Sequence, residues 1–241
     1  MRRKNNAHSA QENDGDRRLG TQEKELALAL AVFIDYDATI TDVDTFDVLV
    51  RHCAGPEEWA ALETQLLGGA MTLREVLAAQ ARFVTISLDD ADAYLANKAR
   101  FDPSFKPFVE AAEACGANVT ILSSGVEPLI QRALQRNGVA HVRALANDVR
   151  VSAGGWEMLF RDASDNGHDK RADVLAAANA GDSTVYIGDG FSDYDAAVAA
   201  DRRFAKRGRA LETYLRERGI PFTPFTHFDE VQRALFGSPL S

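Results

Sequence analysis

The chain has 241 residues and a formal charge of −9, from 27 lysines and arginines against 36 aspartates and glutamates. That balance excludes nucleic acid as a general partner, which would need basic groups to neutralise phosphates, and no apolar run approaches the ~20 residues that cross a bilayer, so no membrane partner is expected. An apolar fraction of 46% in a chain this long suits one full globular domain plus a smaller one.

Residues 1–27 are polar and begin with the charged run Met1-Arg2-Arg3-Lys4. Asn5 to Gly20 offers no apolar stretch of the kind a signal peptide needs. The segment is expected to be a disordered leader, because it cannot bury enough apolar area to offset ordering entropy. A cytoplasmic location follows as the expectation. Cys53 and Cys115 lie far apart without CxxC spacing, and buried, reduced thiols are expected.

The first element is the run Ala31-Val32-Phe33-Ile34, entered from polar sequence and ending in Asp35-Tyr36-Asp37-Ala38-Thr39-Ile40-Thr41. It reads as a buried strand of a parallel sheet. Two carboxylates one residue apart at such a strand end repel each other unless a cation or a shared proton compensates. Helical spacing follows from Thr45 to the break at Gly55-Pro56. Pro56 suits a first helical position, with Glu57 and Glu58 complementing the dipole of a helix that ends at Gly68-Gly69. Thr72 and Glu75 form a capping-box pattern for Leu73 to Phe83, and Asp89 or Asp90 starts a further helix through Leu95. Residues 43–100 are therefore predicted to be all-helical, a cap inserted into a core made of 28–42 and 101–241.

From Pro103 the pattern changes to alternating strands and helices. Phe105–Cys115 reads as a helix, Asn118–Leu122 as a buried strand followed by Ser123-Ser124-Gly125, and Val126–Asn137 as a helix. His141–Phe160 has β-like runs around Gly154-Gly155 and reads as a hairpin excursion. Asp169–Ala180 is helical, Thr184–Ile187 is a strand ending in Gly188-Asp189-Gly190, and Asp193–Ala200 is helical. Arg203–Ala205 makes a short strand, and helices at Leu211–Arg218 and Phe228–Leu235 close the chain. The fold class is α/β, a doubly wound parallel sheet with a small all-helical cap after its first strand.

Three strand ends thus present chemical groups: Asp35 and Asp37, Ser123, and Asp189 with Asp193. In a doubly wound sheet these ends lie side by side. Four carboxylates in one crevice demand a hard cation with oxygen ligands, and Mg²⁺ fits that preference. Lys170 at a helix start adds a positive charge. A metal with Lys, Ser and backbone N–H donors is a site for a phosphoryl group, which one carboxylate can attack while its neighbour transfers protons.

The ordered set Asp35-x-Asp37-x-Thr39, Ser123-x-Gly125, Lys170 and Gly188-Asp189-Gly190-x-Ser192-Asp193 resembles the haloacid dehalogenase superfamily of phosphatases. The helical insert looks like the cap of the phosphoserine phosphatase subgroup. Gly55-Pro56-Glu57-Glu58-Trp59, Phe204-Ala205-Lys206 and Phe228-Asp229-Glu230-Val231 look like the narrower branch that includes the methionine-salvage phosphatase acting on 2-hydroxy-3-keto-5-methylthiopentenyl-1-phosphate.

The resemblance implies Mg²⁺-dependent hydrolysis of a small phosphorylated metabolite by a monomer or homodimer. It implies Asp35 as the nucleophile and a metal ligand, and Asp37 as the general acid/base with its backbone carbonyl on the metal. Ser123, Ser124, Thr39 and Lys170 would bind phosphate, with Lys170 also balancing charge on the nucleophile. Asp189 would be the second carboxylate ligand, and Asp193 would hold metal-bound water or orient Lys170. A catalytically weak phosphate-binding protein and a phosphomutase use the same residues. Ala38 stands where the family usually has Gly. The Cys-rich segment that some methionine-salvage relatives carry before the lysine is absent, and Arg161–Asp169 stands in its place.

Outside these motifs, Arg202, Arg203, Lys206, Arg207 and Arg209 are expected to form a solvated face. His168 is expected to be a loop residue, and Trp59 and Phe83 to sit at core positions of the cap. Glu58 and Arg82 are the cap's candidates for reading the substrate beyond its phosphate.

Overall fold

The computed structural model describes residues 29–152 and 154–237, so the expected leader lies outside the described residues. The strands are β1 (Leu30–Ile34), β2 (Asn118–Val126), β3 (Arg143–Arg150), β4 (Glu157–Leu159), β5 (Ser183–Gly188), β6 (Arg202–Lys206) and β7 (Thr223–Phe225). They form one sheet in the order β4-β3-β2-β1-β5-β6-β7, parallel except for β4, which pairs antiparallel with β3. The chain builds outward from β1 on one side and then crosses to the other. The crevice at such a reversal, beyond the strands' carboxyl ends, is where ligands bind in open α/β sheets.

Alternation along β1 sends Val32 and Ile34 to one face and Ala31 and Phe33 to the other. The first face is covered by α5 (Phe105–Ala114), α6 (Glu127–Arg136) and α10 (Phe228–Phe236), through Phe105, Phe108, Ile130, Leu134, Phe228 and Val231. The second is covered by α7 (Lys170–Asn179), α8 (Tyr194–Ala199) and α9 (Ala210–Glu217), through Val174, Ala196, Leu211 and Leu215.

Between β1 and α5 lie α1 (Thr45–Cys53), α2 (Pro56–Leu67), α3 (Leu73–Ala81) and α4 (Leu88–Ala96). The chain leaves and re-enters the core side by side, at a Thr41–Phe101 bridge reinforced by Arg100 Nε on Asp42 at 2.8 Å. The insert shares its apolar core with the rest of the molecule. Leu49, Val50, Leu77, Ala91 and Leu95 pack with Val126 and Leu129, and with Trp156 and Met158 of the β3–β4 hairpin. That hairpin grips the end of α3: the Trp156 N–H donates to the Ala81 carbonyl and its indole N–H to the Ile86 carbonyl, each at 2.9 Å. A Cβ on Gly155 (φ +107°) would overlap the Arg82 carbonyl, so only glycine permits this approach. By contrast, α2 buries no side chain completely.

Several local expectations change. β2 continues through Ser123-Ser124-Gly125 to Val126, its pairing with β3 shifting between Leu122 and Val126, so the serines lie within a distorted strand end. Ser87, not Asp89 or Asp90, caps α4, accepting from the Asp90 N–H at 3.1 Å. A 3-10 turn at Phe191–Asp193 precedes α8. β7 was not expected, because Pro224 at its centre is tolerated only on a sheet edge, where it stands. Cys53 is half-buried and Cys115 exposed, both unpaired, and Phe83 is exposed, so burial fails for Cys115 and Phe83.

Candidate active site

The parallel register places the ends of β1, β2 and β5 together, the Asp35 N–H donating to the Ile187 carbonyl at 2.9 Å. Around these ends lies a cavity of about 690 Å³, roofed by α1, α2 and α3. Asp35, Asp37, Ser123, Ser124 and Asp189 line it.

Lys170, at the start of α7, reaches into this place from beneath. Its Nζ donates to Asp35 Oδ1 at 2.5 Å, to Asp193 Oδ1 at 2.7 Å and to Ser192 Oγ at 3.2 Å. Burial opposes the lysine's charge, but Asp193 and Asp35 outweigh it and raise the ammonium above its ordinary range. Asp193 is completely buried, and its carboxylate accepts four hydrogen bonds: from Lys170 and the Tyr186 hydroxyl on Oδ1, and from the Asp189 and Gly190 N–H groups on Oδ2.

Asp37 is fixed from the insert. Its Oδ1 accepts from the Thr45 N–H at 2.8 Å and the Thr45 hydroxyl at 2.6 Å, at the first residue of α1. Ser123 Oγ stands 3.4 Å from Asp37 Oδ2 and itself receives the Gly125 N–H at 2.9 Å. Burial raises the Asp37 carboxyl, with the Thr45 bonds pulling the other way. Burial and Asp193 likewise push Asp35 well up, and Asp189 up to about 7.

Oxygens of Asp35, Asp189 and Asp193 lie within 4.8 Å of one another, and among the described residues Lys170 is the one cation ion-paired with them. With the Asp193 carboxylate already taken by four donors, the remaining oxygens of Asp35 and Asp189, in an excess of negative charge, fit a hard divalent cation. Ser124 Oγ is buried beside it without a hydrogen-bond partner among the described residues. It is a hydroxyl with a hydrogen-bond donor to spare beside the cavity.

Between Asp37 and Thr39 the chain turns through Ala38 at φ +55°, the one non-glycine at positive φ among the described residues. The left-handed region costs a residue with a Cβ about 1–2 kcal/mol. Thr39 is buried, and its hydroxyl donates to Asp189 Oδ1 at 3.3 Å.

Some functional neighbours escaped the sequence reading. His168 lies in the loop before α7, as expected, but it is buried there, with Nδ1 at 3.0 Å from the Ser123 carbonyl and Nε2 at 2.7 Å from Asp173. Asn147, also buried, holds the Ser124 carbonyl at 2.7 Å. Nor is the basic cluster wholly solvated, since Lys206 donates to the Thr39 carbonyl at 2.6 Å and Arg209 lines the cavity. The available signal was the short strand read at Arg203–Ala205, which carries Lys206 to a sheet end. Glu58 and Arg82 are exposed and outside the cavity lining, where Asp44, Asp47, Arg51, Glu63 and Gln80 stand instead. Trp59 is half-buried, its indole N–H on Asp47 at 2.8 Å.

A family model described as haloacid dehalogenase-like hydrolase matches residues 32–197. The chain is 35% identical to Pdp3-interacting factor 1 of Schizosaccharomyces pombe, covering 86% of this chain and 94% of that one. It is 29% identical to the polyol phosphate phosphatase PYP1 of Saccharomyces cerevisiae, over 83% and 90% of the two chains. A 2-hydroxy-3-keto-5-methylthiopentenyl-1-phosphate phosphatase of Bacillus cytotoxicus is 25% identical over 86% and 96%. In fold, the chain is similar to a phosphoserine phosphatase solved as a phospho-aspartyl intermediate analogue, with a TM-score of 0.65, 16% identity, and coverage of 86% and 99%.

Proposed function

The chain belongs to the haloacid dehalogenase-like hydrolases, and we propose that it is a Mg²⁺-dependent phosphatase of small phosphate monoesters that works through an aspartyl-phosphate on Asp35. One observation carries this reading: Asp35 projects from the end of the central strand into the cavity with Oδ1 fixed by Lys170, and no described residue donates to Oδ2. That oxygen attacks phosphorus in line as the bond to the leaving alcohol oxygen breaks.

Asp37, with its carboxyl raised by burial, gives its proton to the departing oxygen and later takes one from the water that cleaves the acyl phosphate. Thr45 holds the carboxyl at the angle this exchange needs. Ser123, Ser124 and Lys170 meet the phosphoryl oxygens. Asp35, Asp189 and the backbone carbonyl of Asp37 would hold the Mg²⁺, which supplies charge neutralisation at the phosphoryl group. Asp193, with its acceptor capacity already taken, orients Lys170.

The helical insert serves as the cap that encloses the leaving group. Its lining is acidic: Asp44, Asp47 and Glu63 face one cation, Arg51, whose guanidinium lies 3.4 Å over the Trp59 ring. Leu66, Leu73, Val76 and Leu77 supply the apolar remainder. Such a lining favours an uncharged, hydroxyl-bearing leaving group over one with a carboxylate. Polyol phosphates, the class named for the budding-yeast relative, and the methionine-salvage enol phosphate both fit better than phosphoserine.

The test is phosphate release from an aryl phosphate and from a panel of polyol, methionine-salvage and amino-acid phosphates, with Mg²⁺ and with EDTA. Wild-type protein is expected to release free phosphate only with the metal, and Asp35→Asn to lose at least about 10³-fold. Activity retained in that variant overturns the covalent mechanism, and an isomerised sugar phosphate in place of free phosphate would indicate a mutase.

A further inference from the structure

We infer that Lys206 is a positioning residue for this reaction, holding in place the strained turn at Ala38 that carries Asp37 and Thr39. The inference rests on Asp37 and Thr39 serving the chemistry proposed above.

The turn has a conformational problem of its own. Ala38 is buried in the left-handed region, which an alanine visits rarely and a glycine freely. Strained residues persist where their surroundings over-determine them. On one side the Ala38 N–H donates to the Val43 carbonyl at 3.0 Å and to Thr41 Oγ1 at 3.2 Å. Those bonds lie within the same short segment and cannot anchor it to the sheet.

Besides the Thr39 hydroxyl on Asp189 and the Asp102 N–H on the Ile40 carbonyl, an anchor charged and directed at the strained turn's own backbone comes from β6, beyond β5. Lys206 closes that strand, and its Nζ donates to the carbonyl of Thr39, the residue immediately after the strained one, at 2.6 Å. Arg209, three residues on, donates to the Asp42 carbonyl at 3.2 Å. Two cations from one strand end therefore grip the backbone on the far side of Ala38.

Apart from the Phe225 ring, whose centroid lies 6.0 Å from its Nζ, the Thr39 carbonyl is what Lys206 meets. It is half-buried, and burial draws its ammonium below the ordinary lysine range. Among the described residues no carboxylate lies within ion-pair distance of it. A desolvated ammonium directed at a neutral carbonyl, rather than paired with a carboxylate, gains its value from what that carbonyl fixes. Here the carbonyl belongs to Thr39, whose hydroxyl touches Asp189 and whose backbone leads directly back to Asp37.

The experiment is a double-mutant cycle on aryl phosphate hydrolysis with Mg²⁺, using Lys206→Met, Ala38→Gly and the double variant. Lys206→Met is expected to lower kcat about tenfold with KM changed less than about threefold, the scale set by one released backbone strain. Glycine at position 38 removes the need for the clamp, so Ala38→Gly should return the double variant to within about threefold of wild type. Lys206→Arg, which keeps a donor at the carbonyl, should stay near wild type. The same coupling is read in thermal melting: Ala38→Gly should raise Tm more when combined with Lys206→Met than in the wild-type chain. A wild-type kcat in Lys206→Met, or a loss that glycine does not return in kcat or in Tm, overturns the inference. A wild-type chain that hydrolyses no phosphate ester overturns instead the functional reading beneath it.

Discussion

A Cβ at Gly125 would stand 2.7 Å from Asp37 Oδ2 and 3.1 Å from Ser123 Oγ. Asp37 gives way only by pulling against the two hydrogen bonds with which Thr45 holds its other oxygen. Gly125→Ala is therefore expected to lower kcat roughly 10²-fold, the cost of displacing a catalytic group by about an ångström. Its melting temperature should stay close to wild type, since the Gly125 backbone is open to any residue. Steady-state kinetics alongside a melt checks both halves. At this scale the motif residues were legible, since Asp35, Asp37, Ser123, Lys170 and Asp189 announce themselves by chemistry, order and strand context. Thr45 and His168 were not. Each is an ordinary residue until folding brings it to Asp37 or, across 45 positions of sequence, to Ser123.

Elements were read most securely where punctuation is local. The Thr72–Glu75 capping box, Pro56 at a helix start, and Gly116 and Gly138 in left-handed turns all mark ends that stand as expected. Expectation failed where tertiary pairing decides, as at β7 and the extended end of β2. The start of β5 gives a case of such long-range fastening. The Asp201 carboxylate, just before β6, accepts the Thr184 N–H at 2.8 Å and the Thr184 hydroxyl at 2.9 Å. These bonds lower its pKa below the ordinary carboxylate value. The folded pKa lies below the unfolded one, so the contribution is present above about pH 4 and lost as pH falls through the folded value. Asp201→Asn should lower Tm at about pH 7 by a few degrees or less, in keeping with an exposed site worth under about 1 kcal/mol. That deficit should shrink on acidification toward about pH 3, below the ordinary carboxylate value. A constant deficit across that range would remove the carboxylate's charge from the explanation.

For the molecule as a whole, the crossing of the chain from β4 over to β5 decides everything about the site. It brings Asp35, Ser123 and Asp189 from three separate strands to one rim, and alternation of strands with helices was sufficient to foresee this. What the sequence could not show is which insert residues face the rim, because α1–α3 fold back over it by packing rather than by any local code. The charge concentrated there has a global consequence. A divalent cation that binds only the folded state should stabilise it by about 2–3 kcal/mol at a hundredfold excess over Kd, and Tm should rise with its concentration. Asp189→Asn should remove most of that rise. Melting curves across a Mg²⁺ series, without any substrate, decide the point.

The uneven fastening of the insert also sets where its backbone breathes. The hairpin rivets α3 through Trp156, whereas α2 lies over the cavity mouth with no fully buried side chain. Such a helix opens at low free-energy cost. Entry to the cavity is therefore expected by a swing of α2 against a stationary α3, like a door on a fixed post, rather than by rocking of all four helices together. Amide hydrogen exchange should record this as protection in Val76–Ala81 outlasting that in Trp59–Leu66 by at least about tenfold.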